Sequence, residues 1–238
     1  MDLIREELLN QSLPQVLFRT DKISDSSPIH FYFDGDGRPW IQGKRIAKDP
    51  TSRSKVILDL MSNDSANKIL IGRPCYYLRE VKAFPNCKEK WWTSHRYGQT
   101  VVDILTSAIA QQINSYQPTE VIFIGYSGGG TLAALVANQM EDVDVVITVA
   151  ANLNVDAWIE HHGYTPLADS FDAENFPILP ARIRQYHLVG GKDGAVPPVV
   201  TKSVATRQSA AKIITFPEFD HSCCWPKIWA STLADLLN

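Results

Sequence analysis

The sequence predicts an α/β protein in which helices cover both faces of a mostly parallel, twisted sheet. Apolar, β-branched runs alternate with helical patterns along the chain, and strands that alternate with helices typically form parallel sheets. A glycine-rich turn joins one apolar run to an Ala/Leu-rich helix over residues 121–140. Polar residues with catalytic chemistry follow several of these runs, and ligands of parallel sheets bind beyond the carboxyl ends of the strands.

Hydrophobic periodicity and turn residues define the elements of the first half of the chain. Predicted strands occupy residues 15–20, 29–33 and 68–72. Predicted helices occupy residues 1–10, residues 54–61 and a long segment from Thr93 or Ser94 to about Tyr116. The first two strands are expected to pair through the Ser/Asp-rich turn between them. A frayed terminal segment is the alternative for residues 1–10.

The second half of the chain continues the alternation of strands and helices. Predicted strands begin at Val121 and occupy residues 143–149, 185–189 and 211–216. Predicted helices follow Ser127, begin near Pro197 and Pro198, and occupy residues 225–237. The aromatic-rich segment 152–182 is irregular, and it is interpreted either as a cap or lid or as a long loop anchored to the sheet. One domain over residues 1–238 is expected, since 45% hydrophobic residues provide a sizeable core.

Ser127 is the strongest candidate for a catalytic residue. It lies in the pattern Gly-x-Ser-x-Gly with Gly125, Tyr126 and Gly129, between an apolar strand and a helix. This is the setting of a nucleophile elbow, in which a tight turn exposes the serine hydroxyl at the end of the strand. The alternatives are a βα turn that only packs tightly and a phosphate-binding helix start. The lysine of a nucleotide-binding P-loop is absent after these glycines.

A serine nucleophile needs a base and an acid that orients the base. Asp193 and His221 follow Ser127 in the order Ser, Asp, His, and each comes just after a predicted strand. This is the chain order that accompanies a nucleophile elbow. The alternative interpretations are that Asp193 is only a turn residue and that His221 is a helix-start residue or a buried structural histidine. The joint arrangement favours a catalytic triad.

The loop after residues 29–33 is the candidate oxyanion loop. A tetrahedral intermediate needs two donors, and we expect the backbone N–H groups of Gly128 and Asp36, with Gly37 as the alternative to Asp36. An ordinary Asp-Gly turn, a hairpin tip and a calcium loop are the competing interpretations. The loop does not have the spaced acids and the distal glutamate of an EF-hand, which argues against a calcium loop.

The carboxylates of Asp34 and Asp36 would destabilise a nearby oxyanion unless they were neutralised or turned away. We therefore expect one of them to pair with an arginine and hold the loop in shape. Three arginines are candidates for this pairing, namely Arg38, Arg73 and Arg96. Three tryptophans are candidates for the substrate pocket, namely Trp40, Trp92 and Trp158, with core packing or loop anchoring as the alternative.

Composition excludes several function classes. The net charge is −3 without a lysine/arginine block, which argues against nucleic-acid binding, and no apolar stretch approaches the length of a transmembrane helix. The first ten residues do not have the apolar core of a signal peptide, so a cytoplasmic location is expected. The four cysteines, Cys75, Cys87, Cys223 and Cys224, are then expected to be free thiols by default. The alternative is a bridge between Cys75 and Cys87, if their α-carbons come within reach. No metal site is expected, because the sequence has no C-x-x-C spacing, and no organic cofactor is expected, because the proposed triad does not need one.

Six sequence blocks together resemble the α/β-hydrolase superfamily over nearly the whole chain, closest to a poorly characterised bacterial branch. They are DGDGRPW (34–40), GRPCY (72–76), WWTSHR (91–96), GYSGGG (125–130), GGKDGAVPP (190–198) and DHSCCW (220–225). The resemblance implies an α/β-hydrolase fold, the triad Ser127, Asp193 and His221, and the oxyanion donors Asp36 and Gly128. It also implies that a periplasmic or secreted location and a Cys75–Cys87 bridge are compatible with the branch.

The expected activity is hydrolysis of a carboxylic ester or thioester through an acyl-enzyme. The expected partner is a small-molecule acyl substrate. Cleavage of an amide or peptide on the same triad is the alternative within enzymes. A non-catalytic ligand-binding protein on the same scaffold is the alternative outside them, although no triad member is missing. The superfold itself hosts many activities, so the fold does not name the substrate.

Overall fold

A computed structural model of the chain describes residues 3–9, 12–24 and 26–237. Its strands are β1 (Leu3–Leu8), β2 (Gln15–Thr20), β3 (Ile29–Phe33), β4 (Trp40–Ile41), β5 (Arg45–Ile46), β6 (Asn67–Ile71), β7 (Val121–Tyr126), β8 (Val145–Val149), β9 (Arg184–Gly190) and β10 (Ala211–Phe216). Its α-helices are α1 (Val56–Ser62), α2 (Gln99–Tyr116), α3 (Gly128–Ala137), α4 (Val155–His162), α5 (Pro198–Ala205) and α6 (Trp225–Leu237). Two short 3₁₀ helices cover Val81–Ala83 and Glu89–Trp92.

Eight strands form one sheet in the order β1-β2-β6-β3-β7-β8-β9-β10. The pairs β1/β2 and β2/β6 are antiparallel, whereas every other pair of neighbours is parallel. The short strands β4 and β5 form a separate hairpin. The predicted fold class, a mostly parallel sheet between helices, is confirmed.

Alternate residues of the central strands face two different layers of helices. On β7, Val121 and Phe123 pack into the core layer that contains residues of α2, α3, α4 and α5. Ile122 and Ile124 pack into the opposite layer with residues of α1 and α6. Because both faces are covered, the strand is buried along its whole length. This explains why its sequence is a continuous apolar run without polar alternation.

Strands at residues 15–20, 29–33 and 211–216 and the helix at 225–237 have the predicted bounds. The helix predicted near Pro198 is also confirmed. Segment 152–182 contains one helix, α4, and is otherwise irregular. None of the helices in the described part of the chain is both long and apolar enough to span a membrane.

The helix predicted for residues 1–10 is wrong where the structure describes it, because Leu3–Leu8 is a strand. It forms an antiparallel pair with β2 that runs from Leu3 opposite Thr20 to Leu8 opposite Gln15. The charged residues that suggested a helix instead make contacts on and across the strands, for example Glu6 with Arg19. Pairing with a neighbouring strand has overridden the local pattern.

The predicted pairing of β2 with β3 is also wrong. Strand β3 lies between β6 and β7 and is parallel to both. Both of its edges are therefore occupied, and β2 pairs with β6 instead, with Leu17 opposite Ile71. The connection between β2 and β3 consequently crosses over one strand and does not form a hairpin.

The long helix begins later than predicted, at Gln99 in place of Thr93 or Ser94. Gly98 takes the N-cap position with an extended backbone. The turn of residues 93–97 remains outside the helix, where the Arg96 guanidinium donates to the carbonyl of Thr93. This turn places Arg96 and Tyr97 at the candidate active site described below.

The cysteines are paired in the structure, so the expectation of free thiols is wrong. Cys75 and Cys87 form a disulfide with α-carbons 5.6 Å apart, which is the alternative that the sequence left open. This bridge joins the loop after β6 to the segment that precedes Glu89–Trp92. Cys223 and Cys224, which follow His221, are bonded to one another.

Candidate active site

Ser127 occupies a sharp turn between β7 and α3. Its backbone has φ 53° and ψ −129°, which is a strained region for a residue with a side chain. The Ser127 N–H donates to the carbonyl oxygen of Val149 at 2.9 Å and thereby ties the turn to β8. The strain and the anchoring are those expected of a nucleophile elbow.

The glycines around Ser127 allow the turn because their neighbours lie too close for side chains. A Cβ on Gly125 would lie 2.4 Å from the carbonyl oxygen of Gly129. A Cβ on Gly129 would lie 2.1 Å from the carbonyl oxygen of Phe33 and 2.5 Å from that of Asp34. Helix α3 therefore approaches the end of β3 at backbone contact distance, which brings the candidate oxyanion loop against the turn at Ser127.

Asp193 and His221 form a hydrogen-bonded pair. Nδ1 of His221 lies 2.8 Å from Oδ2 of Asp193, whose side chain is fully buried. The other carboxylate oxygen, Oδ1, accepts the backbone N–H groups of Ala195 and Val196 at 2.9 and 2.7 Å. A carboxylate acceptor requires Nδ1 to carry the proton, so Nε2 of His221 is left as the proton acceptor.

The imidazole of His221 lies beside the elbow. Its ring centroid is 5.1 Å from that of Tyr126, the residue before Ser127. The His221 loop is held by the indole N–H of Trp225, which is within hydrogen-bonding distance of the carbonyls of both Asp220 and His221. Among the described residues no hydrogen bond joins the Ser127 hydroxyl to His221. Catalytic hydrogen bonds are often long before substrate binds.

Asp36 is the centre of a buried polar cluster. Its carboxylate accepts hydrogen bonds from Arg73 at 2.7 Å, from Arg96 at 3.0 Å and from the hydroxyl of Tyr97 at 2.6 Å. The expectation that an arginine pairs with one of the two loop carboxylates is confirmed for Asp36, with two of the three candidate arginines. Burial raises the pKa of the Asp36 carboxyl, but the charges of Arg73 and Arg96 outweigh burial and hold it below its usual value.

The Asp36 carboxylate also lies against the first residue of α3. A Cβ on Gly128 would lie 2.0 Å from Oδ1 of Asp36 and 2.4 Å from the Tyr97 hydroxyl. The positive end of the helix dipole favours a carboxylate at this position. Tyr76 donates to the backbone carbonyl of Asp36 at 2.9 Å. The residues of both expected oxyanion donors, Asp36 and Gly128, are thus packed together.

Asp34 has a different environment from Asp36. Its Oδ1 accepts the N–H of Gly35 at 2.7 Å, and its Oδ2 accepts the hydroxyl of Tyr77 at 2.5 Å. Burial raises the pKa of the Asp34 carboxyl despite these hydrogen bonds. A Cβ on Gly35 would lie 3.4 Å from the Cβ of Ser127. The loop therefore passes directly beside Ser127.

The three tryptophans proposed for a pocket have different surroundings. Trp158 of α4 donates its indole N–H to the carbonyl of Ala195, 3.1 Å away, and its ring lies 6.0 Å from the guanidinium of Arg96. Trp92 is buried in a core cluster and donates to the carbonyl of Ala47. Trp40 is 42% exposed on the hairpin of β4 and β5. Only Trp158 contacts both the Asp193 loop and the Asp36 cluster.

Sequence reasoning missed the tyrosines and the asparagine of this site. Asn152, just after β8, donates to the hydroxyl of Tyr97 at 3.0 Å and accepts from Thr131 of α3. Tyr76 lies within one of the sequence blocks that carry the resemblance, three residues after Arg73, and Tyr97 directly follows Arg96 at the end of another. This proximity to the two arginines was the available signal, but a tyrosine alone does not indicate which carboxylate it will reach.

A family model described as serine hydrolase (FSH1) matches residues 58–222. The chain belongs to the serine hydrolase (FSH1) family. The match covers more than two thirds of the 238 residues and includes Ser127, Asp193 and His221. The Asp36 loop lies before the matched region of this family member. No curated protein matches the sequence.

Solved structures of α/β hydrolases share the fold of this FSH1-family protein. An esterase from Pyrococcus furiosus is similar with a TM-score of 0.67 and 11% identity, over 99% of this chain and 90% of the esterase. A predicted CIB-like hydrolase from Thermoplasma acidophilum has a TM-score of 0.59 and 17% identity, over 100% and 98% of the two chains. A proline iminopeptidase-related protein from Thermus thermophilus has a TM-score of 0.64 and 15% identity, over 99% of each chain. Because the sequence identities to these structures are low, the similarity establishes that the fold is shared and nothing further.

Proposed function

We propose that the protein hydrolyses a carboxylic ester or thioester of a small molecule through an acyl-enzyme on Ser127. The observation that carries the proposal is the strained elbow serine beside the hydrogen-bonded pair of His221 and Asp193. Membership of a serine hydrolase family supports the same reaction class.

In the proposed reaction, the Ser127 hydroxyl attacks the acyl carbon while Nε2 of His221 removes its proton. His221 then transfers this proton to the leaving alcohol or thiol as the tetrahedral intermediate collapses. Water next attacks the acyl carbon while it loses a proton to His221. His221 then returns this proton to the Ser127 oxygen as the bond from the acyl carbon to that oxygen breaks, which releases the acid and restores Ser127. Asp193 keeps the imidazole in the required tautomer and stabilises its charged form throughout.

The negative oxygen of the intermediate is proposed to bind the backbone N–H groups of Gly128 and Asp36. Gly128 is the first residue of α3, and the first N–H groups of a helix have no acceptor within the helix. The charge of the Asp36 side chain is balanced by Arg73 and Arg96, so it does not oppose the charge that develops on the oxygen. Two such donors stabilise the transition state in acyl transfer.

Labelling with a fluorophosphonate tests the identity of the nucleophile. The wild-type protein and the control variant Ser115→Ala, on the exposed side of α2, are expected to react. The Ser127→Ala variant is expected to remain unlabelled and to lose several orders of magnitude in kcat/KM. Equal labelling of Ser127→Ala, or no labelling of the wild type, would overturn the assignment.

A panel of substrates tests the proposed bond. It contains p-nitrophenyl esters of increasing acyl length, an acyl thioester and a p-nitroanilide with the same acyl group. Hydrolysis of esters or thioesters with little cleavage of the anilide is expected. If the anilide is hydrolysed as efficiently as the ester, the protein is an amidase and the ester proposal is wrong.

A further inference from the structure

The hairpin of β4 and β5 projects from the end of the oxyanion loop. Its two ends are joined by hydrogen bonds from Arg38 N–H to the carbonyl of Pro50 and from Ala47 N–H to that of Pro39, each 2.8 Å long. A Cβ on Gly37 would lie 2.2 Å from the carbonyl of Pro50. The hairpin is therefore a well-anchored excursion that begins two residues after Asp36.

This excursion carries a concentrated positive charge. Together with the residues that connect it to α1, it contains six basic residues and one acidic residue within 38–55. The basic residues are Arg38, Lys44, Arg45, Lys48, Arg53 and Lys55, and the acidic residue is Asp49. Residues 38–55 thus have a formal charge of +5, although the whole chain has −3. The remaining residues together carry −8, so the hairpin is a local reversal of the overall charge.

Four of these cations line one cavity. The cavity has a volume of about 410 Å³ and is bordered by Arg38, Arg45, Lys48 and Arg53, with the apolar side chains of Ile41 and Ile46. Asp49 also borders it, so the lining has a formal charge of +3. Trp40, next to Ile41, is 42% exposed. The lining therefore combines positive charge with apolar surface.

The cations of the cavity have no ionic partners within the described part of the chain. Other arginines do find partners, including Arg5 with Glu7, Arg184 with Glu120 and Arg182 with backbone carbonyls. The only carboxylate that borders the cavity, Asp49, accepts the backbone N–H of Thr51. Four exposed cations and one carboxylate around the same cavity leave an excess of positive charge at this surface, which would attract an anion.

We propose that this cavity binds a phosphate group. The guanidinium groups of three arginines provide paired N–H donors that match phosphate oxygens. A phosphate monoester carries about −1.5 to −2 charges at neutral pH, which matches a lining of +3 better than a single carboxylate does. Ile41 and Ile46 would contact the organic part of the ligand. The ligand is thus a soluble phosphate ester or a phospholipid headgroup.

Binding is tested on the full-length protein with two probes. Calorimetric titration with glycerol 3-phosphate measures binding of a soluble ester. Co-sedimentation with phosphatidylcholine vesicles, with or without 30 mol% phosphatidic acid, measures binding of a headgroup. Saturation by glycerol 3-phosphate, or sedimentation only with the anionic vesicles, supports the phosphate site and identifies which source it uses.

Matched variants show whether the cavity is responsible. The triple variant Arg45→Gln/Lys48→Gln/Arg53→Gln is expected to weaken binding roughly tenfold or more, because it removes three of the four cations that border the cavity. The control Lys22→Gln/Lys82→Gln/Lys227→Gln removes the same charge from other exposed positions and is expected to bind like the wild type. Thermal unfolding and circular dichroism verify that both variants fold.

Two outcomes overturn the proposal. One is that the wild type binds neither glycerol 3-phosphate nor phosphatidic acid vesicles. The other is that the two triple variants lose binding equally, since that result would show attraction by overall charge without a site. Because binding is measured directly, these outcomes do not depend on whether Ser127 is a nucleophile.

Discussion

At the scale of single residues, Asp34 and Asp36 show how neighbouring groups change the pKa of the same type of side chain. Both carboxyls are largely buried, and burial raises the pKa of each. Asp36 also faces two guanidinium groups, which bring its pKa below the usual value, whereas Asp34 faces chiefly the hydroxyl of Tyr77. The pKa values of these two carboxyls, which are separated by one glycine in the sequence, are therefore shifted in opposite directions.

Replacing Asp36 by asparagine is expected to destabilise the protein by about 3 kcal/mol, because it leaves Arg73 and Arg96 buried without their counter-charge. Urea unfolding at pH 7 measures this change. The control is Asp59→Asn, which breaks the exposed i,i+4 pair with Lys55 at 3.7 Å and is expected to cost less than about 0.5 kcal/mol. Equal effects of the two substitutions would contradict a special role for Asp36.

The same carboxyl has a defined pH dependence. Its pKa in the folded protein is lower than in the unfolded chain, so the stability it contributes is complete above the unfolded pKa, near 4. That contribution is lost as the pH falls through the lower folded pKa. The difference in unfolding free energy between wild type and Asp36→Asn should accordingly shrink in acid.

At the scale of elements, the candidate active site depends on the contact between the end of β3 and the start of α3. The carbonyl oxygens of Phe33 and Asp34 lie so close to Gly129 that they leave no room for a side chain there. The contact holds the candidate oxyanion loop beside Ser127. Helix α4 supports the opposite side, because Trp158 and His162 both lie within hydrogen-bonding distance of the carbonyl of Ala195 in the Asp193 loop.

Gly129→Ala is expected to destabilise the protein by roughly 3 kcal/mol or more, since the methyl group meets backbone atoms that cannot move independently. Gly194→Ala is the matched control, because nothing lies within 4 Å of its Cβ position and its φ is not positive. Urea unfolding of both variants compares them. A Gly129→Ala protein as stable as Gly194→Ala would show that α3 and β3 are not in tight contact.

At the scale of the whole molecule, the sheet encloses His187 in the interior. His187 of β9 lies 2.8 Å from the hydroxyl of Thr148 on β8 through its Nδ1, and its Nε2 is buried without a protein partner in the described chain. Burial lowers the pKa of His187 to about 4 from the ordinary 6.5. The folded protein therefore favours the neutral imidazole.

His187 is expected to lower the free energy of unfolding as the solution becomes acidic. Because its pKa is lower in the folded protein than in the unfolded chain, the stability that neutral His187 preserves is complete above pH 6.5 and is lost as the pH falls toward 4. The loss between pH 7 and 5 is about 2 kcal/mol. His187→Gln cannot take up this proton, so its unfolding free energy should fall less over that range. Urea unfolding at both pH values measures this, and parallel losses would contradict the prediction.

Local sequence pattern was sufficient for much of the fold and of the candidate site. The apolar runs at residues 29–33 and 211–216 are strands with the predicted bounds. The sequence predicted three candidate catalytic residues, Ser127, Asp193 and His221, because each follows a strand. The end of a strand is visible locally as a change from apolar residues to turn residues. The hydrogen bond between His221 and Asp193 was expected from this order alone.

Only the tertiary structure decided which distant segments are neighbours. Leu3–Leu8 became a strand because β2 offered a free edge, and β2 paired with β6 because both edges of β3 were occupied. Arg73 and Arg96 reach Asp36 from 37 and 60 residues away along the chain. Periodicity specifies which face of an element is buried, whereas long-range pairing depends on the order of strands in the sheet, to which every element contributes.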